Sequence, residues 1–399
     1  MVISFEREKC SNLKVAESQE WLVTNGIGGY ASGTITNLLT RRYHGLLIAA
    51  LQPPLGRTLL LTKLDETAGY KDRDYPLYCN RWADGTINPE GYQQIESFHL
   101  EGTIPVWKFS FADVILEKRI WMEEGENTTY IHYNLGSGSQ PLNLAIKALI
   151  NHRDHHHHTN ASDWQIGIDK TNKGICLQAF PKATPLYLLT HPQIDDKTLV
   201  STPANDWYYG FNLAVEKYRG QQELEDHLHA VTFNAQLEVG KSLTIVASTK
   251  ENPTTNGEEA LTSRRAYEQQ IIQKFATSKT SQPEEKNPVV KFWKSLTASS
   301  SQTKHQVAKP TPEWINQLVL AANQFIVDRK SPKHPDGKTI IAGYHWFEDW
   351  GRDTMISLPG LTICTKQFNV ARSILQTFAK YVDGGMLPNR FPDSGATPD

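Results

Sequence analysis

The sequence predicts a large antiparallel β-sandwich domain followed by a helical segment, and three observations carry that expectation. Residues 1 to about 250 hold many short runs rich in β-branched and aromatic residues, with turn residues between them. Composition shifts after Asn252-Pro253-Thr254-Thr255-Asn256-Gly257. Beyond Pro312, apolar residues recur at helical spacing.

The strand candidates come first. Gly45–Ala50, Pro105–Phe111, Tyr130–Leu135 and Ser242–Ser248 are short apolar or aromatic runs, and Leu142–Ile150 alternates as a half-buried strand does. Ala83-Asp84-Gly85 and Leu135-Gly136-Ser137-Gly138 read as turns. So many strands without intervening helices favour a sandwich over βαβ units. We place this domain at residues 1–252. Residues 253–311 read as a linker with one helix, Glu258 to Ala276, and a short apolar piece at Val289–Trp293. Residues 312–399 read as three helices. The first carries Trp314, Leu318, Val319, Ala322, Phe325 and Ile326. The second runs from about Asp353 to Lys366. The third carries Val370, Ile374, Leu375, Phe378 and Tyr381 and stops at Asp383-Gly384-Gly385. Three helices with apolar faces bury little by themselves, so this domain is expected to be cut short.

Composition narrows the function. Net charge is −2, with 41 basic and 43 acidic residues and no long run of one sign. Such balance speaks against a nucleic-acid footprint or an electrostatic membrane anchor. The N-terminus, Met1 to Glu8, has no basic region followed by an apolar run, and no transmembrane span is expected. The cysteines Cys10, Cys79, Cys176 and Cys364 lack metal-ligand spacing, so a reduced cytoplasmic protein without metal or cofactor is expected.

Six motifs have chemical readings. Gly26-Ile27-Gly28-Gly29-Tyr30-Ala31 fits G-x-G-x-x-A, but it lacks a following helix and a downstream acid, so a glycine turn is favoured over a nucleotide site. Arg41-Arg42-Tyr43-His44 could contact a polysaccharide or an adjoining domain, or could simply pair with acids at a strand start. Asn151-His152-Arg153-Asp154-His155-His156-His157-His158 reads as a histidine-rich loop, solvated because adjacent imidazoles rarely converge on one ion. Asp206-Trp207-Tyr208-Tyr209 suits either a sugar platform or core packing. Tyr344 to Asp353 is the sharpest signal, with two tryptophans, three carboxylates and an arginine within 346 to 353. Buried carboxylates and guanidinium groups need partners. The Arg352 fork beside the Asp353 carboxylate suits vicinal sugar hydroxyls. Met386-Leu387-Pro388-Asn389-Arg390-Phe391 follows a glycine turn, where site residues are common.

Trp21–Ala31, Arg41–Gly45, Trp350–Thr354 and Leu387–Phe391, taken in order, resemble the bacterial and archaeal glycogen-debranching family, the amylo-α-1,6-glucosidases. The resemblance implies an N-terminal β-supersandwich and an (α/α)6 barrel shared with glucoamylase-like glycosidases. It implies inverting hydrolysis of the α-1,6-linked glucose at branch stubs of glycogen or limit dextrin. It assigns Arg352 and Asp353 to the glucose hydroxyls, with Trp350 lining the subsite, Asp349 a weaker candidate, and Asn389 and Arg390 on a neighbouring loop. No catalytic residue is assigned within the chain. An inverting enzyme needs two carboxyl groups about 6.5–9.5 Å apart, and the family places them on helices after Asp399. The chain is therefore expected to be a shortened form, a fragmentary gene product or one piece of a split enzyme. Another glucoamylase-like glycosidase, a carbohydrate phosphorylase and a non-catalytic glucan-binding fragment stand as alternatives.

Overall fold

The computed structural model describes residues 3–161, 164–192, 199–277, 311–331 and 334–391. Among these, two large antiparallel sheets dominate. One has nine strands in the spatial order Ser4–Glu6, Ile95–Glu101, Ile104–Phe111, Val114–Met122, Thr128–Ser137, Ser242–Ser248, Leu186–Pro192, Gly174–Gln178 and Gly167–Thr171. The other runs Leu199–Asn212, Leu224–Leu237, Leu142–Asp154, Leu55–Tyr70, Gly45–Gln52, Tyr30–Thr34 and Glu20–Thr24, with Arg73–Pro76 added beside Leu55–Tyr70. Strand pairs of this kind present alternate residues to opposite faces. Trp107, Leu116, Ile120, Ile131, Leu144 and Phe233 accordingly join one large buried core.

Every strand run expected from the sequence is a strand. The expected turn at Leu135–Gly138 is not where the sequence placed it, because Thr128–Ser137 continues through Gly136. Ser137 pairs with Ile115 and Leu135 with Leu116, so Gly136 is the extra residue of a bulge. Gly26 and Gly28 do form a turn, between Glu20–Thr24 and Tyr30–Thr34. Both have positive φ, and a Cβ on Gly28 would lie 2.4 Å from Pro54 O.

The outer faces of the two sheets receive different cover. Helix Gly257–Thr277 lays Ala260 and Leu261 on Ile104, Val106, Trp121 and Val246. The other sheet packs Tyr30, Ile48 and Leu59 against Val327, Ile341 and Tyr344. A second apolar centre joins Ile340, Leu358, Ala371, Ile374, Phe378 and Phe391. The three expected C-terminal helices appear as Glu313–Gln324, Gly351–Leu358 and Phe368–Ala379. The second is shorter than its pattern, since Pro359 has no amide proton to continue it. Pro359–Ile363 widens to π geometry, with Cys364 N–H bonded to Pro359 O at 2.9 Å. The expected apolar piece Val289–Trp293 lies outside the described residues. All four cysteines are unpaired, and among the described residues no helix is long and apolar enough to cross a membrane.

Candidate functional site

The loop Tyr344–Trp350 is moulded on the sandwich before it enters helix Gly351–Leu358. Arg57, fully buried on strand Leu55–Tyr70, donates to Tyr344 O at 2.7 Å and to Phe347 O at 3.0 Å. Ser32 spends its hydroxyl proton on Trp21 O, so its oxygen accepts from His345 Nε2 at 3.0 Å. Burial pushes the His345 imidazole down to about 3, and His44 and Arg41 add to the effect. The guanidinium groups of Arg41 and Arg219 lie 5.1 and 5.6 Å from the Trp346 ring centre.

Glu348 is buried at the heart of this loop. Its Oε1 meets His156 Nε2 at 3.2 Å, and its Oε2 meets Trp350 Nε1 at 3.3 Å and Arg390 Nε at 3.6 Å. Burial opposes its charge, yet His156, Arg57, Trp350 and Arg390 outweigh burial and hold its carboxyl at about 2. Asp349 faces the other way. It is fully buried, its Oδ2 accepts from Arg329 at 3.0 Å, and burial raises its carboxyl to about 6 despite that arginine.

Asp349–Trp350 pairs antiparallel with Arg390–Phe391, setting Trp350 opposite Arg390. Gly351 N–H donates to Asn389 O at 2.8 Å. The loop Leu387–Phe391 therefore lies beside the helix start, as its neighbouring-loop reading required. Trp350 is half-buried with its ring 5.6 Å from Phe347 and 5.9 Å from the Arg390 guanidinium. Arg352 and Asn389 are exposed and Asp353 is partly so. Among the described residues neither the Arg352 nor the Asp353 side chain has a hydrogen-bond or ion-pair partner. Asp353 also sits in the helix's first turn, where the free amide groups favour a carboxylate. Trp350, Arg352, Asp353, Asn389 and Arg390 thus belong to one surface region, and Asp349 supports it from beneath.

Two sequence readings change. The histidine-rich segment is neither all loop nor solvated: Asn151 to Asp154 end the strand Leu142–Asp154, His155 is fully buried, and the His156 ring centre lies 3.9 Å from that of His155. Burial drives the His155 imidazole far down. The arginine pair does both things proposed for it. Arg41 and Arg42 pair with Glu20 and Glu216, while Tyr43, His44 and Arg41 contact His345 and Trp346. In the Trp207 motif, Trp207 packs on the large core and Tyr208 on a separate cluster, leaving Tyr209 exposed. They do not form one flat platform. Glu348, Arg57 and His156 were missed as members of the region. Glu348 lay inside the singled-out segment, but its partner His156 is 192 positions away.

Among the described residues, Glu20, His44 and His345 come nearest to a metal-ligand set, with ligand atoms within 4.8 Å of one another. Thr40 N–H donates to His44 Nδ1 at 3.2 Å, so Nε2 carries the proton and points it at Glu20, 3.4 Å away. His44 then has no lone pair for an ion, and the Arg41–Glu20 ion pair with a neutral His44 beside it describes the cluster. A cavity of about 640 Å³ lies elsewhere, lined by Tyr267, Lys274, Asn323 and Lys366 among others. None of the six expected site residues lines it.

Residues 19–244 match the family described as glycogen debranching enzyme N terminal. Residues 320–399 match the family described as amylo-alpha-1,6-glucosidase. Comparison with curated proteins gave no match. Among solved structures, a bacterial glucoamylase complexed with acarbose is 12% identical, the likeness covering 98% of this chain and 53% of that chain at a TM-score of 0.37. The chain spans about half the length of that glucoamylase, and a likeness this faint carries no argument here.

Proposed function

Because the chain belongs to the glycogen debranching enzyme family, we propose that it serves the hydrolytic removal of α-1,6-linked glucose from the branch stubs of glycogen or limit dextrin, with inversion. Its own part is one wall of the glucose subsite. The observation that carries this reading is the pair Arg352 and Asp353, presented without side-chain partners among the described residues and following the half-buried Trp350. A guanidinium fork and a carboxylate on adjacent residues suit the donors and acceptors of vicinal hydroxyls. The indole offers an apolar face to the ring's C–H side. Asn389 and Arg390 border the same sugar from the paired loop, while Asp349 holds Arg329 under it.

Neither buried carboxylate of this wall suits the work of acid or base. Glu348 is kept ionised by hydrogen bonds from His156 and Trp350 and by the charges of Arg57 and Arg390, and Asp349 is shut away with Arg329. A general acid must reach the leaving oxygen before its proton affinity matters. The acid and base therefore belong to other elements of an (α/α)6 barrel. The exposed Trp314, Leu318, Ile356, Phe368 and Leu375 on the three helices support that proposal, since such faces call for neighbouring helices. The same reading keeps a β-supersandwich at 1–252, a linker at 253–311 and the barrel from 312. The four unpaired cysteines support a cytoplasmic setting.

Calorimetric titration with limit dextrin and with isomaltose, an α-1,6-linked glucose pair, tests the subsite. Arg352→Ala and Asp353→Asn are each expected to weaken binding about tenfold or more, at the scale of a hydrogen bond to a charged group, with thermal midpoints unchanged. Equal binding by wild type and both variants would remove the reading. Glucose rather than glucose 1-phosphate as the product would separate hydrolysis from phosphorolysis.

A further inference from the structure

We propose that His156, carried by the sandwich, is a positioning residue for the glucose subsite: through Glu348 it sets the orientation of Trp350 and Arg390. This rests on the subsite reading above. Glu348 is the common partner of the two residues that face each other across the short strand pair. A glutamate has three rotatable bonds, so Oε2 stays on Trp350 and Arg390 only while Oε1 is held. His156 Nε2 is what holds it, at 3.2 Å.

His156 is itself fixed at its backbone and at both ring nitrogens. Its backbone N–H donates to Asp154 Oδ1 at 2.8 Å, and its carbonyl accepts from Arg42 Nη1 at 2.8 Å. Its Nδ1 lies 3.2 Å from Tyr43 Oη. With the tyrosine hydroxyl donating to Nδ1, the ring carries its proton on Nε2, which is the form that donates to Glu348. Tyr43 is buried in turn against His155 and Trp346. The chain of contact runs from the sandwich through Tyr43, His156 and Glu348 to Trp350. The sandwich thereby shapes a sugar site that the helical segment presents. Supporting residues of this kind act by fixing the groups that touch the ligand.

The test uses the full chain, isomaltose as probe, and the variants His156→Ala, His156→Gln, Glu348→Gln and Asp353→Asn. Glutamine can place its amide nitrogen near the Nε2 position and keep a donor. His156→Ala is expected to weaken isomaltose binding about tenfold, the effect of a modest misplacement of contacting groups, and to shift the Trp350 indole N–H resonance. His156→Gln is expected to recover most of the affinity. The double variant His156→Ala/Glu348→Gln should bind no worse than the weaker single variant, because both act through one contact. Wild-type affinity in His156→Ala, or independent losses in the double variant, would overturn the proposal. So would a glutamine variant as weak as alanine with the thermal midpoint lowered in both, since that is the mark of packing alone. Asp353→Asn separates the two readings. If it abolishes binding while His156→Ala binds normally, only the role of His156 fails. If wild type and Asp353→Asn behave alike, or wild type does not bind, the subsite and the role of His156 fall together.

Discussion

Arg57 sits wholly inside the junction between the sandwich and the Tyr344–Trp350 loop, and its two carbonyl contacts come from residues 287 and 290 positions later. A guanidinium can satisfy two carbonyls at once because its donors are fixed in a plane. Removing it leaves Tyr344 O and Phe347 O without that donor, and an unpaired buried polar group costs about 1–3 kcal/mol. Arg57→Leu is therefore expected to destabilise the chain by about 2–4 kcal/mol, read as a lowered midpoint in urea. Arg57→Lys should recover only part of the loss, since one ammonium cannot reproduce the fork. Full recovery by lysine would show that charge, not geometry, holds the loop. Nothing in the local sequence Pro54-Leu55-Gly56-Arg57-Thr58 marks this arginine. Its meaning lies in partners far along the chain. His156 has the same history: its cluster was visible, but Glu348 was not in view as its partner. Trp350, Arg352 and Asp353 stand out in the sequence because an indole, a guanidinium and a carboxylate fall within four consecutive positions.

Helix Gly351–Leu358 starts where it does because the strand pair before it needs a residue without a side chain. A Cβ on Gly351 would lie 2.2 Å from Pro388 O, and Gly351 N–H bonds Asn389 O. Gly351→Ala must push the Leu387–Phe391 loop away from the helix start. The expected outcome is a thermal midpoint several degrees lower and glucan binding weakened more than by an alanine at an exposed position of the same helix, such as Ile356→Ala. A variant that binds limit dextrin as wild type does would show that the loop has no part in the site. At this scale much was legible. Strand existence followed from β-branched and aromatic runs, and helices Gly257–Thr277 and Glu313–Gln324 from period and composition. What escaped was local geometry fixed by neighbours. The bulge at Gly136 depends on the register with Val114–Met122, and the π turn at Pro359–Ile363 depends on how the helix resolves its proline.

For the whole molecule, the contact between sandwich and helical segment is built from groups that titrate. His345 is held near 3 by burial, with its Nε2 proton on Ser32 Oγ. His132, buried inside the nine-stranded sheet, is held near 4 for the same reason. In the unfolded chain both imidazoles take up a proton near pH 6.5. Below that pH the unfolded state binds more protons than the folded one, so stability falls with falling pH. Glu20, held near 2 by His44 and Arg41 against the opposing effect of burial, and Glu348, also near 2, continue the loss below about pH 4.5. Asp349 works in the opposite sense. Its folded value of about 6 lies above its ordinary 3.8, so its contribution is complete below 3.8 and is lost as pH rises through 6. His155, His158 and His227 are held down by burial as well, and together these imidazoles outweigh one carboxyl between pH 6.5 and 4. The expected result is a thermal midpoint that drops steadily from pH 7 to pH 4, with His345 contributing a few kcal/mol at most. His345→Gln keeps a donor for Ser32 but cannot take up the proton. It is expected to flatten the drop between pH 6.5 and 4 while changing the midpoint little near pH 7, where the imidazole is neutral in both states. A slope identical to that of the wild type would place the acid sensitivity elsewhere, and His132→Asn, measured the same way, would then locate it in the sheet instead of the junction.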